Sequence, residues 1–155
     1  MPLRLYTPST PAHWAIAQRL VEAYAASLPV DLAFQSFDEE RSHLSTHYAP
    51  PAGAFVLAEH DGDHVGCVGL RRFADRDCEM KRLYVAPSAR GLGLGRTLVA
   101  TIIARAREAG YQRMLLDTLP SMPEARALYQ SLGFQPIPAY RYNPVPGTAY
   151  LQLVL

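Results

Sequence analysis

Residues 89–96 read ARGLGLGR, with glycines at 91, 93 and 95 set between Arg90 and Arg96. Alternating glycines leave a run of backbone amides free of side chains, and two arginines add fixed positive charge at its edges. That combination suits an anion, phosphate above all, if the run opens a helix whose first N–H groups are unspent. The same run could also be only a tight strand-to-helix turn. Two common phosphate grips are excluded by spacing. A P-loop needs G-x-x-x-x-G-K-[ST], but five positions after Gly91 stands Arg96, and no Lys-Ser or Lys-Thr follows a glycine. The dinucleotide fingerprint G-x-G-x-x-G fails because the glycines alternate. Asp117 resembles that fold's ribose-binding carboxylate, but antiparallel strands precede the loop and no second mononucleotide half fits after it.

Other reactive residues are scattered. "HDGDH", residues 60–64, mixes metal-ligand types but coincides with an Asp61-Gly62 hairpin signal, so it reads as solvated turn chemistry. His43 and His47 are four apart with no third ligand evident and read as surface or capping residues. Cys67 and Cys78 read as small reduced, buried or half-buried side chains rather than a disulfide framework. No Ser-His-Asp arrangement is suggested by motif context. Glu79 lies in a strand two residues before Lys81, on the same face. By residue type and position it reads as an exposed glutamate on a half-solvated strand, paired with Lys81. Tyr129, at helical spacing with Ala125, Leu128 and Leu132, suits a core position.

The elements that would position these residues follow from hydrophobic period. "LRLYT" is a short strand, and Trp14, Ala17, Leu20, Val21, Tyr24 and Leu28 mark a helix capped by Thr10 with Pro11 at its first position and ended by Pro29. Ser36 and Glu39 predict a capping box for a second helix that fades by "APPAG". The period then becomes two: "AFVLAEH", "HVGCVGLRR" and "CEMKRLYV" predict an antiparallel meander turning at Asp61-Gly62 and at "ADRD". After the glycine loop, Leu98, Val99, Ile102, Ile103 and Ala106 mark a helix closed by Gly110, and "RMLLDT" is a buried strand. A capping box in "SMPE" predicts a helix with Ala125, Leu128, Tyr129 and Leu132, stopped by Gly133, before strands "QPIPAY" and "YLQLVL". The predicted class is α/β (mixed α+β), in the order β-α-α-β-β-β-α-β-α-β-β, a mixed twisted sheet with helices on both faces.

Size and charge narrow the classes. At 155 residues and 49% hydrophobic, the chain fits one domain, residues 1–155. A net charge of +1 gives no broad field for nucleic acid or an anionic membrane, so neither is expected as a partner. No apolar run is long enough to span a bilayer and no signal peptide is evident, which predicts a cytoplasmic protein.

The spacing [QR]-x-x-G-x-[GA] is met by Arg90, Gly93 and Gly95. "LYVAPSARGLGLGRTLV", with "ARALYQSLGF" about thirty residues on, resembles the two cofactor motifs of the GNAT superfamily of acyl-CoA N-acyltransferases. The resemblance covers essentially the whole chain. It implies an N-acetyltransferase using acetyl-CoA and no metal, with the amine attacking the thioester directly in a ternary complex. In the family a bulge splays the strand before the loop from its parallel neighbour. Here that implies a gap between "RLYV" and "RMLLDT", with backbone of Leu83, Tyr84 and Val85 meeting the pantetheine arm and an amide near Leu83 or Tyr84 facing the oxyanion. Arg90, Gly91, Leu92, Gly93, Leu94, Gly95 and Arg96 would hold the pyrophosphate. Tyr129 matches the family tyrosine that protonates the departing thiolate, and Glu79 stands where a glutamate often serves as base. Met122 replaces an asparagine that often contacts pantetheine. The acceptor site is implied to lie between "LAFQSFDEE" and "PAYRYNPVPG", where Phe34, Phe37, Tyr140 and Tyr142 offer an aromatic wall. Gln35, Lys81, Arg82 and Asn143 offer polar and cationic groups there for a small-molecule or peptide amine. A homodimer remains open, and the alternative function is a non-catalytic CoA-binding sensor or interaction module.

Overall fold

The computed structural model describes residues 3–29, 31–32 and 36–155. Chain order is β1 (Leu3–Tyr6), α1 (Pro11–Ala26), α2 (Phe37–Ser42), α3 (Leu44–His47), β2 (Ala54–His60), β3 (Asp63–Arg72), β4 (Asp77–Val85), α4 (Leu94–Glu108), β5 (Arg113–Thr118), α5 (Pro123–Ser131), β6 (Gln135–Pro136) and β7 (Ala149–Val154). The strands form one sheet in the order β1-β2-β3-β4-β5-β7-β6, antiparallel throughout except for the parallel pair β4-β5. This is the expected mixed α/β sheet covered on both faces.

Helix α4 buries Leu94, Leu98, Val99, Ile102, Ile103 and Ala106 against one face, in a core shared with Tyr129 and Phe134. Helix α1 buries Ala17, Leu20 and Val21 on the other face, with Tyr48, Phe55 and Cys67. Each set repeats at three- and four-residue spacing, so burial of one stripe on the sheet fixes the helix orientation. Thr10 caps α1 by accepting the His13 amide at 3.1 Å, with Pro11 in the first turn. Asp61 and Gly62 both have positive φ, as the tight β2-β3 turn needs.

Several local expectations are corrected. Ser36 precedes α2 but sits at φ 56° and makes no side-chain cap; the helix start instead carries Asp38, Glu39 and Glu40, which complement its dipole. The second helix is broken at His43 into α2 and α3. Helix α5 begins at Pro123 behind Met122, so "SMPE" forms no capping box. The strand "QPIPAY" shrinks to Gln135–Pro136, because Pro136 and Pro138 have no N–H to extend a ladder. Cys67 and Cys78 are both buried free thiols.

Candidate active site

The site begins where the sheet stops being regular. β4 and β5 are paired only at Asp77–Arg113, Cys78–Met114 and Glu79–Leu115; beyond these the two strands have no ladder between them. The cause is visible in the β3-β4 register. Cys67 faces Tyr84 and Gly69 faces Lys81, so Val68 stands opposite both Arg82 and Leu83. β4 therefore holds one extra residue, a β-bulge, and Arg82 takes φ 62°, a strained value for a side chain of this size. Lys81 and Arg82 consequently face the same side of the sheet, while Leu83 and Val85 pack toward the α4 core. Lys81, Arg82, Leu83, Leu116, Asp117, Thr118, Met122, Tyr129 and Asn143 line the resulting gap.

At one end of the gap lies the glycine loop. Gly91 and Gly93 have φ 85° and 73°, and a Cβ built on either would meet nothing within 4 Å. Their backbone conformation favours glycine, and the space beside them is open. The first bond that closes α4 runs from the Thr97 amide to the Gly93 carbonyl at 3.2 Å, which leaves the amides of Leu94, Gly95 and Arg96 without a helical acceptor. Leu92 is exposed and Leu94 buried, so the loop presents backbone outward and anchors itself by one leucine. Arg90 Nε donates to the Val85 carbonyl at 3.2 Å, and Arg96 donates to Ser131 Oγ at 2.6 Å, tying both arginines to the rim. A desolvated phosphate-sized anion fits this cradle by its donor chemistry.

In the middle of the gap, Tyr129 projects from α5. Its ring packs on Phe134 at 5.6 Å between centroids, and the residue is buried. Burial raises the phenol well above its ordinary range, with the charges of Tyr24 and Asp117 adding to the effect, so the hydroxyl keeps its proton at neutral pH.

The sheet face away from α4 holds a buried ionic cluster. Glu79 is fully buried rather than half-solvated on an open strand. Its carboxylate accepts from Tyr140 Oη at 2.7 Å and Arg141 Nη2 at 2.9 Å, with Arg71 Nη2 at 3.4 Å and Lys81 Nζ at 4.0 Å. Arg82 is engaged by Glu40 of α2 in a forked pair, Nε–Oε2 2.7 Å and Nη2–Oε1 2.9 Å, and Tyr48 donates to the same carboxylate at 2.8 Å. Burial pushes the Glu40 carboxyl up, but the hydrogen bonds and charge of Arg82, with Lys81 and Tyr48, outweigh it and hold the group at about 2. Asn143 donates to Asp117 at 3.1 Å. Tyr142 is exposed, and Phe34 and Gln35 lie outside the described residues.

Thus the structure brings Lys81, Arg82, Leu83, Tyr129 and Asn143 to one gap and places the glycine loop at its mouth. Sequence reasoning missed the roles of Glu40, Arg71, Asp117 and Arg141. Arg71 and Glu79 carry a readable signal, charges inside apolar strand runs. Among the described residues no group of His, Cys, Asp and Glu could hold a metal ion.

Comparison with known proteins agrees with this geometry. A model of the acetyltransferase (GNAT) family matches residues 17–134. The chain is 41% identical over 136 residues to an uncharacterized N-acetyltransferase of Schizosaccharomyces pombe, covering 86% of this chain and 83% of the relative. An acetyltransferase structure from Streptococcus agalactiae has the same fold, with a TM-score of 0.81 at 22% identity over 99% and 98% of the two chains. So does a Salmonella typhimurium protein assigned as an acetyltransferase and solved with its cofactor acetyl-CoA, with a TM-score of 0.70 at 20% identity over 99% and 94%. The chain belongs to the acetyltransferase (GNAT) family.

Proposed function

We propose that this protein is an N-acetyltransferase that moves an acetyl group from acetyl-CoA to a primary amine by direct attack. The observation that carries the reading is the alignment of three features along one splayed strand pair: the open glycine cradle, the unpaired β4 edge past Glu79, and the buried Tyr129 on the wall of the gap. The amides of the Gly91–Arg96 loop, with Arg90 and Arg96, would hold the pyrophosphate, and the backbone at Leu83 to Val85 would bind the pantetheine arm as a strand would. Acetyl-CoA, when bound, supplies an activated thioester. The protein then has to present a neutral amine, exclude water and return a proton to sulfur. In the net reaction a C–N bond forms, the C–S bond breaks, one proton leaves nitrogen and one reaches sulfur.

Tyr129 is the donor in this reading, because its phenol is protonated and lines the gap. Glu79 is surrounded by Arg71, Lys81, Arg141 and Tyr140, so its role in this reading is to hold those groups in place. The test is acyl transfer. Pooled amines with acetyl-CoA should release free thiol, and Tyr129→Phe should bind acetyl-CoA normally while kcat falls by roughly 10²- to 10⁴-fold. A thioester with a more acidic thiol should restore much of the deficit. Tight acetyl-CoA binding with no thiol release from any amine would favour the sensor alternative.

A further inference from the structure

Of the fifteen basic residues in the chain, fourteen are arginines and one, Lys81, is a lysine. Its neighbours in the buried ionic cluster, Arg71, Arg82 and Arg141, are all arginines. An arginine holds a carboxylate at least as well as a lysine does and stays charged throughout; what a lysine adds is the ability to give up its proton. The chain uses that residue type once, on the wall of the gap. Lys81 is 5% exposed and lines the gap with Leu83 and Tyr129. It therefore stands two residues before the Leu83–Val85 stretch that would bind the pantetheine arm, beside the tyrosine that would protonate the thiolate. Around it, Glu79 Oε1 lies 4.0 Å from Lys81 Nζ, and Arg71, Arg141 and Tyr140 meet the same carboxylate. Arg82 and Glu40 form the next pair along, and Tyr24, Asp117 and Asn143 bring the polar groups of α1, β5 and the loop before β7 to the gap. A base has to be held in place, and a neutral amine still offers two N–H donors to the groups that hold it.

We propose that Lys81 is the general base of the transfer, its neutral Nζ taking the proton that leaves the acceptor nitrogen as the C–N bond forms. The amine's lone pair attacks the acetyl carbonyl carbon, one N–H bond then breaks with its electron pair staying on nitrogen, and the proton passes to Lys81 Nζ. The C–S bond breaks with its pair going to sulfur, which takes the Tyr129 proton. One proton then passes through water from the Lys81 ammonium to the Tyr129 phenolate, and both groups are reset. Charge states agree with this. Burial first, then the charge of Arg82, pulls the Lys81 ammonium down, with Glu79 opposing and Arg71 and Arg141 assisting, to about 7. About half of such a group is neutral at pH 7, against roughly one in a few thousand for an ordinary lysine. The Tyr129 phenol is held well above its own ordinary range, so the resetting transfer runs downhill. Glu79 holds Lys81 and faces the ammonium once it forms.

This assignment rests on the N-acetyltransferase reading, and its tests separate the two. Because the chain has a single lysine, protein labelled with ¹³C,¹⁵N-lysine gives one Nζ–Cε signal, whose shift against pH reads this group with no acceptor present. Its midpoint should fall near 7; a midpoint above about 9, close to that of an ordinary lysine, overturns the assignment. Lys81→Arg keeps the charge and Lys81→Met keeps the length, and neither can act as a base. With the fastest amine of the pool, both variants should lose roughly 10²- to 10⁴-fold in kcat while calorimetric acetyl-CoA binding changes little. In the parent, kcat should rise with pH through about 7 and level off, and that rise should be gone from both variants. Turnover by Lys81→Arg within about threefold of the parent, or the same rise in the variants, overturns the assignment and leaves the N-acetyltransferase reading standing. If no amine releases thiol, both fall.

Discussion

The forked pair between Glu40 and Arg82 joins α2 to the bulge that opens the gap, so breaking it should be felt in both stability and donor binding. Both side chains are nearly inaccessible, at 1% and 2%. Glu40→Gln keeps the shape and an acceptor for Tyr48, but removes the carboxylate charge that faces the buried Arg82 fork. Removing one partner of a buried ion pair costs about 3–5 kcal/mol, out of the 5–15 kcal/mol by which typical domains are stable. For a chain of this size that is a drop in Tm of roughly 6–20 °C. A second readout comes from acid. The Glu40 carboxyl is held at about 2 against an ordinary 4.5, so its folded-state pKa is depressed. Its contribution is full above the unfolded value and is lost as pH falls from about 5 toward 2, worth on the order of 3 kcal/mol. Urea unfolding followed by circular dichroism should therefore show the parent losing about that much more than Glu40→Gln across this window. Other carboxylates act on both proteins alike and cancel. A stability loss under about 1 kcal/mol at pH 7, or parallel pH curves, would refute the argument.

Two further outcomes test the cradle. Gly93→Asn tolerates a left-handed backbone better than valine would and places a side chain into the open space, so acetyl-CoA affinity should fall at least roughly tenfold with little change in Tm; unchanged calorimetric binding would remove the loop from the donor site. Arg90→Ala and Arg96→Ala should weaken acetyl-CoA more than acetyl-pantetheine, which has no nucleotide end, by roughly tenfold or more each; equal losses for both donors would make the arginines structural.

Much of the frame was readable because its signals are local. The Thr10-Pro11 start of α1, the Asp61-Gly62 turn and the stripe from Leu98 to Ala106 each depend on a few neighbouring residues. Local signals also misled where a competing geometry prevailed. Ser36 has the residue type for a cap but adopts a left-handed conformation, and Pro123 sets the start of α5 one residue after Met122. The site was legible only in outline. "CEMKRLYV" alternates as a strand with one wet face should, but Arg71 from β3 and Tyr140 and Arg141 from the loop before β7 cover Glu79. Those partners lie between 8 and 62 residues away in the chain, where no spacing rule connects them.

The bulge explains why the gap and the buried ionic cluster meet. One additional residue at Arg82–Leu83 breaks the alternation of β4 and turns Lys81 and Arg82 to the same face. It also carries the strand away from β5, so that backbone groups beyond Glu79 have no ladder partner on that side. A non-glycine residue at φ 62° persists only if its surroundings hold it there. Here the hold comes from Glu40, with the Phe37 and Tyr24 rings 5.2 and 5.8 Å from the guanidinium. Arg82 therefore fixes the bulge from the α2 side, with its fork engaged by Glu40. Because the same strained residue opens the gap and sets Lys81 on its wall, loosening α2 should degrade acetyl-CoA binding and turnover together, whereas substitutions in the glycine loop should act on acetyl-CoA binding alone.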